Sequence, residues 1–386
     1  MGEPGPHTSV PDLRGDGAVH LPGPDASVPA HYGAPLREQR RLETRRAVVD
    51  LAQLEILEVS GADHRSWLTT VTSQQLLDLA PGDSTTFTVL SPQGRLEHLA
   101  HVAVPDADSL LLITDPGHRE GLVQYLEMMR FAARVQITPR DDLRALGALV
   151  PAPEAAARAG VTLPDPVAVY TEAWPLVAPG GVAYGPDPDD VAGWVISLHR
   201  RADVEDVAWP AEALAGMLAA EALRVADHRP RLVTEGDERA LPHELDLLRT
   251  AVHTTKGCYR GQETVAKVLN LGQPPRRLVM LHLDGSQDVP ATAGSTVHLP
   301  GADGAAGKMV GTVTTAVVHA DLGPIALALV RRAVPIDAAL LVQVTVGEEQ
   351  DGTEDATELP TVLLDAAQEP IVLERDHGER RQTARL

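Results

Sequence analysis

The side chains best suited to chemistry in this 386-residue chain lie in one short segment, Lys256 to Glu263, which reads Lys-Gly-Cys-Tyr-Arg-Gly-Gln-Glu. Cys258 is the only cysteine, which excludes an internal disulfide and a multi-thiolate metal site within one chain. Glycines at positions 257 and 261 allow the backbone to adopt a positive φ or to approach a ligand closely. The segment predicts a thiol presented by a tight loop.

The residues after Gly261 have helical spacing up to Gly272. Cys258 would therefore lie just before a helix N-terminus, with Lys256 and Arg260 beside it. The helix dipole and the two cations favour an ionised, nucleophilic sulfur. A lone cysteine is also commonly a small buried hydrophobe, so both interpretations stay open on spacing alone.

The charge of this region is opposite to that of the whole chain. The protein has a formal net charge of −21, which argues against non-specific binding of duplex nucleic acid. Between Arg249 and Arg277, however, six basic residues accompany a single acid, Glu263. This reversal suits a site for a small anionic molecule, although basic runs are also often only solvated.

A second candidate precedes the cysteine segment. Leu241 to Asp246 is polar and rich in turn formers, and it contains Glu244. A carboxylate can accept hydrogen bonds from adjacent N–H groups, such as those on the pyrimidine ring of a pterin. The alternative is an acid of a surface loop.

The eight residues from Lys256 to Glu263 resemble the K-G-C-Y-x-G-Q-E signature of the YgfZ family of folate-binding proteins, and all seven specified positions match. That family belongs to the superfamily of the glycine-cleavage T-protein, an aminomethyltransferase. Val59 to Asp63, Trp67-Leu68 and Leu90 to Arg95 resemble further family segments. The resemblance extends from about residue 31 to residue 346.

The resemblance implies three subdomains around a channel for tetrahydrofolate or a derivative, with a β-barrel last. It implies a role in assembly or repair of iron–sulfur enzymes, with transient client or assembly partners and an indirect effect on tRNA modification. It assigns the chemistry to Cys258, and the expected cofactor contacts are Glu244, Lys256, Gly257, Tyr259, Arg260, Gly261, Gln262 and Glu263. One thiolate cannot hold a cluster alone, because such clusters usually need four ligands.

The chain departs from the transferases at two places that carry carboxylates in that superfamily. His98-Leu99 stands where an acidic pair is expected, and Ala226 stands where a glutamate follows an arginine. Without these carboxylates an aminomethyl group is hard to position and polarise, which disfavours transfer from glycine. Two alternatives remain: a folate-dependent transferase that uses His98 or Glu97, and a cysteine-nucleophile enzyme with His243 or His253 as base.

The elements that position these residues follow from hydrophobic periodicity. It predicts helices over 35–46, 64–70, 116–129 and 211–226, and strands over 47–51, 54–59, 84–90, 95–104, 109–114 and 135–138. Short strands follow within 169–210. Strands and helices mix without strict alternation, which favours an α+β fold. After Pro274-Pro275, strands over 278–283, 296–299, 309–318, 325–330 and 340–345 predict a small barrel or sandwich.

These elements divide the chain into four parts. Residues 1–30 are rich in proline and glycine and predict a flexible lead-in. Residues 31–274 would form the folate-binding region with two subdomains, and 275–346 the barrel. The acidic stretch 347–386 predicts a disordered tail, with the alternative that its short apolar runs at 361–364 and 371–373 dock as strands. No apolar run reaches eighteen residues, so no membrane span is expected, and a cytoplasmic location is the default expectation.

Overall fold

The computed structural model describes residues 11–185, 193–346 and 360–373. The strands are β1 (Val48–Asp50), β2 (Glu55–Ser60), β3 (Ser84–Leu90), β4 (Leu96–Ala103), β5 (Ser109–Thr114), β6 (Gln136–Pro139), β7 (Leu143–Ala148), β8 (Ala168–Thr171), β9 (Val195–Arg200), β10 (Leu214–Ala215), β11 (Arg276–Leu283), β12 (Thr296–Pro300), β13 (Ala306–His319), β14 (Gly323–Arg331), β15 (Leu340–Thr345) and β16 (Thr361–Pro370). The helices are α1 (Pro35–Glu43), α2 (His64–Val71), α3 (Arg119–Met128), α4 (Ala152–Arg158), α5 (Ala202–Glu205), α6 (Met217–Ala226), α7 (Leu232–Glu235) and α8 (Gln262–Leu271).

Two five-stranded sheets form the first two subdomains. The first sheet has the order β10-β1-β7-β9-β8 and the second has the order β3-β4-β5-β2-β6. Helices α2 and α3 cover one face of the second sheet, where Leu68 and Leu122 are fully buried against Phe87. Within the described residues, no helix is both long and apolar enough to cross a membrane.

The third subdomain is a closed barrel with the order β11-β14-β13-β12-β15-β16. Its inner side chains include Val279, Ala328 and Val342, all without exposed surface. Closure leaves no free sheet edge in the barrel. The expectation of an α+β fold with three subdomains and a C-terminal β-barrel is confirmed.

The last strand of the barrel lies in the stretch that composition predicted to be a disordered tail. β16 pairs with β15 from Leu340↔Ala366 to Thr345↔Thr361 and with β11 on its other side. Beyond it, Ile371 and Val372 are buried. The prediction is wrong for residues 360–373. Hydrogen bonds to two neighbouring strands and the burial of a few apolar side chains are enough to order this segment. Residues 347–359 and 374–386 lie outside the described residues.

The prediction of a flexible lead-in is likewise wrong for residues 11–30. Leu13 and Val28 are buried in the core of the first sheet, and Val19 forms a bridge with His31. Proline and glycine give this segment an irregular path, but its apolar side chains still find a core. Residues 1–10 lie outside the described residues.

Two further differences concern local structure. The predicted helix 211–226 is broken into a 3-10 turn, the short strand β10 and the helix α6, which begins after Gly216. Gly216 packs so closely that a Cβ there would lie 2.3 Å from the carbonyl oxygen of Ala30. The central strand β7 was not predicted, because it carries the buried Arg144, whose guanidinium is paired with Asp50.

The closure by β16 gives a first prediction. Leu364→Ala removes a side chain that is 1% exposed in the barrel core and should lower the free energy of unfolding by about 2–5 kcal/mol. The exposed Thr361, at the start of the same strand, provides the control, because Thr361→Ala should change stability by less than about 0.5 kcal/mol. Urea unfolding followed by circular dichroism measures both, and equal stability of the two variants would contradict the role of β16.

Candidate functional site

The cysteine loop is exposed and ends at the start of a helix. Cys258 is exposed to solvent, and α8 begins four residues later at Gln262, with Gly261 as its N-cap. Gly261 has φ +82°, a conformation that side chains other than hydrogen rarely adopt. The predicted loop and helix are therefore present, and the thiol faces outward.

Two glycines allow this loop to pack against the turn between β3 and β4. A Cβ on Gly261 would lie 2.6 Å from the carbonyl oxygen of Ser91, and a Cβ on Gly94 would lie 2.6 Å from Cβ of Thr264. Both glycines have positive φ. The cysteine segment and the Ser91–Gly94 turn thus form one close contact that only glycine permits.

Lys256 fixes the loop to the end of α2. Its ammonium donates to the carbonyl oxygens of Thr69, of Thr72 at 2.6 Å and of Gln74 at 3.1 Å. A cation at a helix C-terminus satisfies free carbonyls and complements the dipole. Burial lowers the pKa of Lys256 to about 8. This lysine is therefore committed to the loop's anchorage.

Arg260 is also engaged within the protein. Its guanidinium forms two hydrogen bonds with the carboxylate of Glu97, at 2.8 and 3.3 Å, and lies 5.8 Å from the centre of the Tyr125 ring. The neighbouring Tyr259 is buried, its hydroxyl has no hydrogen-bond partner in the structure, and burial raises its pKa to about 12. Both cations expected to act on the thiol thus have other partners.

The remaining predicted contacts are divided between surface and core. Gly257 and Glu263 are exposed, and the amide of Gln262 donates to the carbonyl oxygen of Lys256 at 3.4 Å. Glu244, in contrast, has no exposed surface. Its carboxylate accepts hydrogen bonds from Arg276, at 3.0 and 2.8 Å. Glu244 therefore joins its own segment, 241–246, to strand β11 of the barrel.

The alternative catalytic residues are not gathered around the thiol. Nε2 of His243 is bonded to the carbonyl oxygen of Val265, and the ring of His253 packs against Gly180. His98 packs against Gly121 of α3, and burial lowers the pKa of His98 to about 4. The carboxylate of Glu97 is paired with Arg260, whereas Nδ1 of His98 is buried and has no hydrogen-bond partner among the described residues.

A cavity of about 70 Å³ lies between the two sheets and α6. Its lining includes aromatic rings and groups of both charges, contributed by β4, β8, the residue before β9, α6 and the segment after α6. These residues are His101, Asp115, Tyr170, Glu172, Trp194, Glu221, Arg224, Arg229 and Arg231. We call this the inter-sheet cavity.

Two opposite charges in the inter-sheet cavity are not used in ion pairs. Arg229 lies over the ring of Trp194, with its guanidinium carbon 5.2 Å from the ring centre, and its side chain forms no hydrogen bond with any described residue. Glu172 accepts a hydrogen bond from the backbone N–H of Trp174, interacts with the hydroxyl of Tyr170, and forms no salt bridge within the described ranges. Arg229 and Glu172 act on each other through their charges, but neither is held by a salt bridge of the network.

His101 is held on the cavity wall by a chain of hydroxyl groups. Its Nδ1 lies 3.1 Å from Oγ1 of Thr86, which lies 2.8 Å from the hydroxyl of Tyr170. The rings of His101 and Tyr170 are in contact, with centres 4.6 Å apart. Burial lowers the pKa of His101. A neutral, oriented imidazole therefore faces the cavity.

The remaining charges of the wall form a network of salt bridges. Arg231 contacts Asp25 at 2.8 Å, Asp115 at 2.9 Å and Glu221 at 3.2 Å. Arg224 contacts Glu221 and also Glu235, each at 2.8 Å. The two arginines pull the pKa of Glu221 down to about 2, despite its burial, so this carboxylate is charged. We call Asp25, Asp115, Glu221 and Glu235 the carboxylate wall.

Sequence reasoning missed the residues of the inter-sheet cavity. These residues are spread over more than 100 positions of the chain and follow no motif. Only Arg224 belongs to a pattern considered in the sequence, as the arginine two residues before Ala226. Strand β4 connects the two regions, since Glu97 contacts the cysteine loop and His101 lines the cavity. Four residues of strand separate them by about 13 Å. No group of three or more potential metal ligands occurs among the described residues.

Comparison with known proteins finds one similar sequence and one similar structure. No family model matches. A chloroplastic protein of Arabidopsis thaliana named "Putative transferase" is 25% identical over 298 residues, which cover 69% of this chain and 61% of that protein. The chain thus spans about three fifths of the length of this curated relative. The glycine cleavage system aminomethyltransferase T from Bartonella henselae superposes with a TM-score of 0.65 at 18% identity, covering 93% of this chain and 95% of that chain. The fold is therefore that of an aminomethyltransferase.

The close contact at Gly261 gives a second prediction. Gly261→Ala places a Cβ 2.6 Å from the Ser91 carbonyl at a positive φ and should lower stability by about 2 kcal/mol or more. Gly257→Ala is the matched control from the same loop, because a Cβ there meets nothing within 4 Å. Thermal unfolding of both variants measures the difference, and a Gly261→Ala protein as stable as Gly257→Ala would refute the packing argument.

Proposed function

We propose that this protein binds a reduced folate, with the pteridine ring in the inter-sheet cavity, and that it supports iron–sulfur enzymes through Cys258. The observation that carries the first part is the pair of unused charges, Glu172 and Arg229, beside aromatic rings. A pteridine presents adjacent N–H donors and a carbonyl acceptor on one flat ring. Such a ring needs one carboxylate, one cationic donor and an apolar face.

The residues of the cavity fit such a group in type, and one of them must move to admit it. A volume of about 70 Å³ holds about five water molecules, which is less than a bicyclic ring needs. Arg224 and Arg231 are fixed by salt bridges, whereas the guanidinium of Arg229 is not. Rotation of Arg229 off the Trp194 ring would enlarge the cavity and leave its guanidinium able to donate to the ligand.

The comparisons support this assignment at the level of the fold. The structural neighbour is an aminomethyltransferase, and the curated relative carries the name of a transferase. In this chain Glu172 supplies a carboxylate that the sequence pattern lacks at Ala226, and His101 replaces the acids expected near His98. The cavity thus retains folate-binding chemistry with a different set of residues.

A second candidate function is folate-dependent aminomethyl or methyl transfer. It is favoured by His101, because a neutral imidazole with a fixed orientation can accept a proton from a bound amine. The absence of the expected carboxylates argues against it. Turnover of purified protein in the glycine-cleavage exchange reaction would decide for the transferase.

Titration with tetrahydrofolate tests the binding site. Glu172→Gln removes the charge of this carboxylate and should raise the dissociation constant for tetrahydrofolate about 10- to 100-fold. This factor corresponds to the free energy of a hydrogen bond to a charged group. Glu263→Gln is the control, because it removes the same charge from the exposed part of the cysteine loop. Isothermal titration calorimetry of both variants and the parent measures the effect. Equal affinity of Glu172→Gln and the parent would contradict the cavity assignment.

The role of the thiol is tested in cells. Cys258→Ser should leave stability within about 0.5 kcal/mol of the parent, because the side chain is exposed. In cells that depend on this protein, the variant should fail to restore an iron–sulfur enzyme activity that the parent restores. Full restoration by Cys258→Ser would remove Cys258 from the proposed function.

A further inference from the structure

The charge of the carboxylate wall exceeds that of the arginines that hold it. Asp25, Asp115, Glu221 and Glu235 share only the two guanidinium groups of Arg224 and Arg231, which leaves two negative charges in excess. Arg231 holds the pKa of Asp115 low despite its burial, so this carboxylate remains charged at neutral pH.

The other charged side chains on the described lining of the inter-sheet cavity do not remove this excess. Glu172 and Arg229 are one acid and one base and cancel each other. Burial keeps His101 neutral by lowering its pKa. The carboxylate wall and its arginine partners are mostly buried: the side chain of Arg224 is 3% exposed and that of Glu235 is fully covered. Water therefore screens the field of these charges poorly.

A buried site with uncompensated negative charge favours a ligand that brings positive charge into the cavity. Folates differ in this respect at the pteridine end while sharing the same p-aminobenzoyl-glutamate tail. In the 5,10-methenyl form a one-carbon unit bridges two nitrogens as an amidinium, which carries a delocalised positive charge. In the 5-formyl form the same carbon belongs to a neutral amide.

We propose that the inter-sheet cavity selects folates whose pteridine end is cationic, of the 5,10-methenyl class, over folates with a neutral ring. This inference rests on the proposed folate binding and names the ligand class within it. The carboxylate wall provides the selectivity through its field, and its arginine partners keep its carboxylates from contacting the ligand directly. Glu172 recognises the ring in both classes.

Asp25 is the carboxylate through which the charge of the wall can be tested, and its two partners, Arg231 and Gln53, both line the cavity. It is not part of the cavity lining, and it bonds to Arg231 at 2.8 and 3.0 Å and to the amide of Gln53 at 2.9 Å. Asp25→Asn keeps the shape of the side chain and removes one negative charge. Asp365→Asn, on the exposed barrel strand β16, changes the net charge equally and is the matched control.

The experiment compares dissociation constants for 5,10-methenyltetrahydrofolate and 5-formyltetrahydrofolate by equilibrium dialysis, at one mildly acidic pH where the methenyl ring persists. The parent should bind the methenyl form at least about tenfold more tightly than the formyl form. This factor corresponds to the interaction of two unit charges at roughly 12 Å with an effective dielectric constant of about 20. Asp25→Asn should reduce this ratio about three- to tenfold, and Asp365→Asn should leave it unchanged.

The outcomes separate the two proposals. Equal affinity of the parent for both ligands, or an equal ratio in Asp25→Asn and the parent, would overturn the selectivity while leaving folate binding in place. Failure of the parent to bind either ligand would overturn the proposed function itself. The ratio in the parent alone decides the question if Asp25→Asn does not fold.

Discussion

Arg231 forms the interaction on which most of the arrangement depends. Its guanidinium joins Asp25 of the N-terminal segment, Asp115 at the end of β5 and Glu221 of α6. Arg224 continues the network to Glu235 and, at 2.9 Å, to Thr315 of the barrel. All three subdomains and the first described residues therefore meet through two guanidinium groups. Removing one partner from a buried pair of this kind typically costs about 3–5 kcal/mol.

The network also divides the charged groups into two classes. Carboxylates and guanidiniums that bond to each other build the wall of the cavity, and those left over face its interior. Glu172 and Arg229 belong to the second class because, within the described residues, neither side chain forms a salt bridge with the network. A cavity with rigid walls and a few free charges is pre-organised for a polar flat ligand.

The cysteine loop follows the opposite principle. Lys256, Arg260 and Glu244 all bond within the protein, and the glycines at 94 and 261 allow two backbones to meet. The charged residues of the motif therefore fix the position of the loop, and the thiol of Cys258 remains exposed. The motif's spacing indicated a ligand site, whereas its contacts show a rigid support for one exposed sulfur.

Much of the fold was predictable from local pattern. The alternation in β2, the helical spacing in α3 and the Gly- and Pro-bearing turns after residue 274 led to the correct elements and to a small barrel or sandwich. The errors share a physical cause. Residues 11–30 and 360–373 have compositions typical of disorder, yet Val28 and Leu364 each have a core to enter. The central strand β7 was not predicted because it contains Arg144. A buried arginine is stable only with an ion-pair partner, here Asp50, and the sequence does not show which residue that partner is.

The sequence by itself determined the loop at Cys258, its glycines and many of the strands and helices, because these depend on backbone conformation and on periodicity within short segments. The three-subdomain arrangement was expected from the resemblance of the cysteine motif to a known family. The tertiary structure alone decided which charges are free. Glu244 and Glu172 are equivalent as residue types, and only their neighbours distinguish them. Arg276 occupies the carboxylate of Glu244, whereas no arginine of the described residues forms a salt bridge with Glu172. Whether a carboxylate bonds to the protein or to a ligand depends on distances between residues far apart in the chain, which no local pattern records.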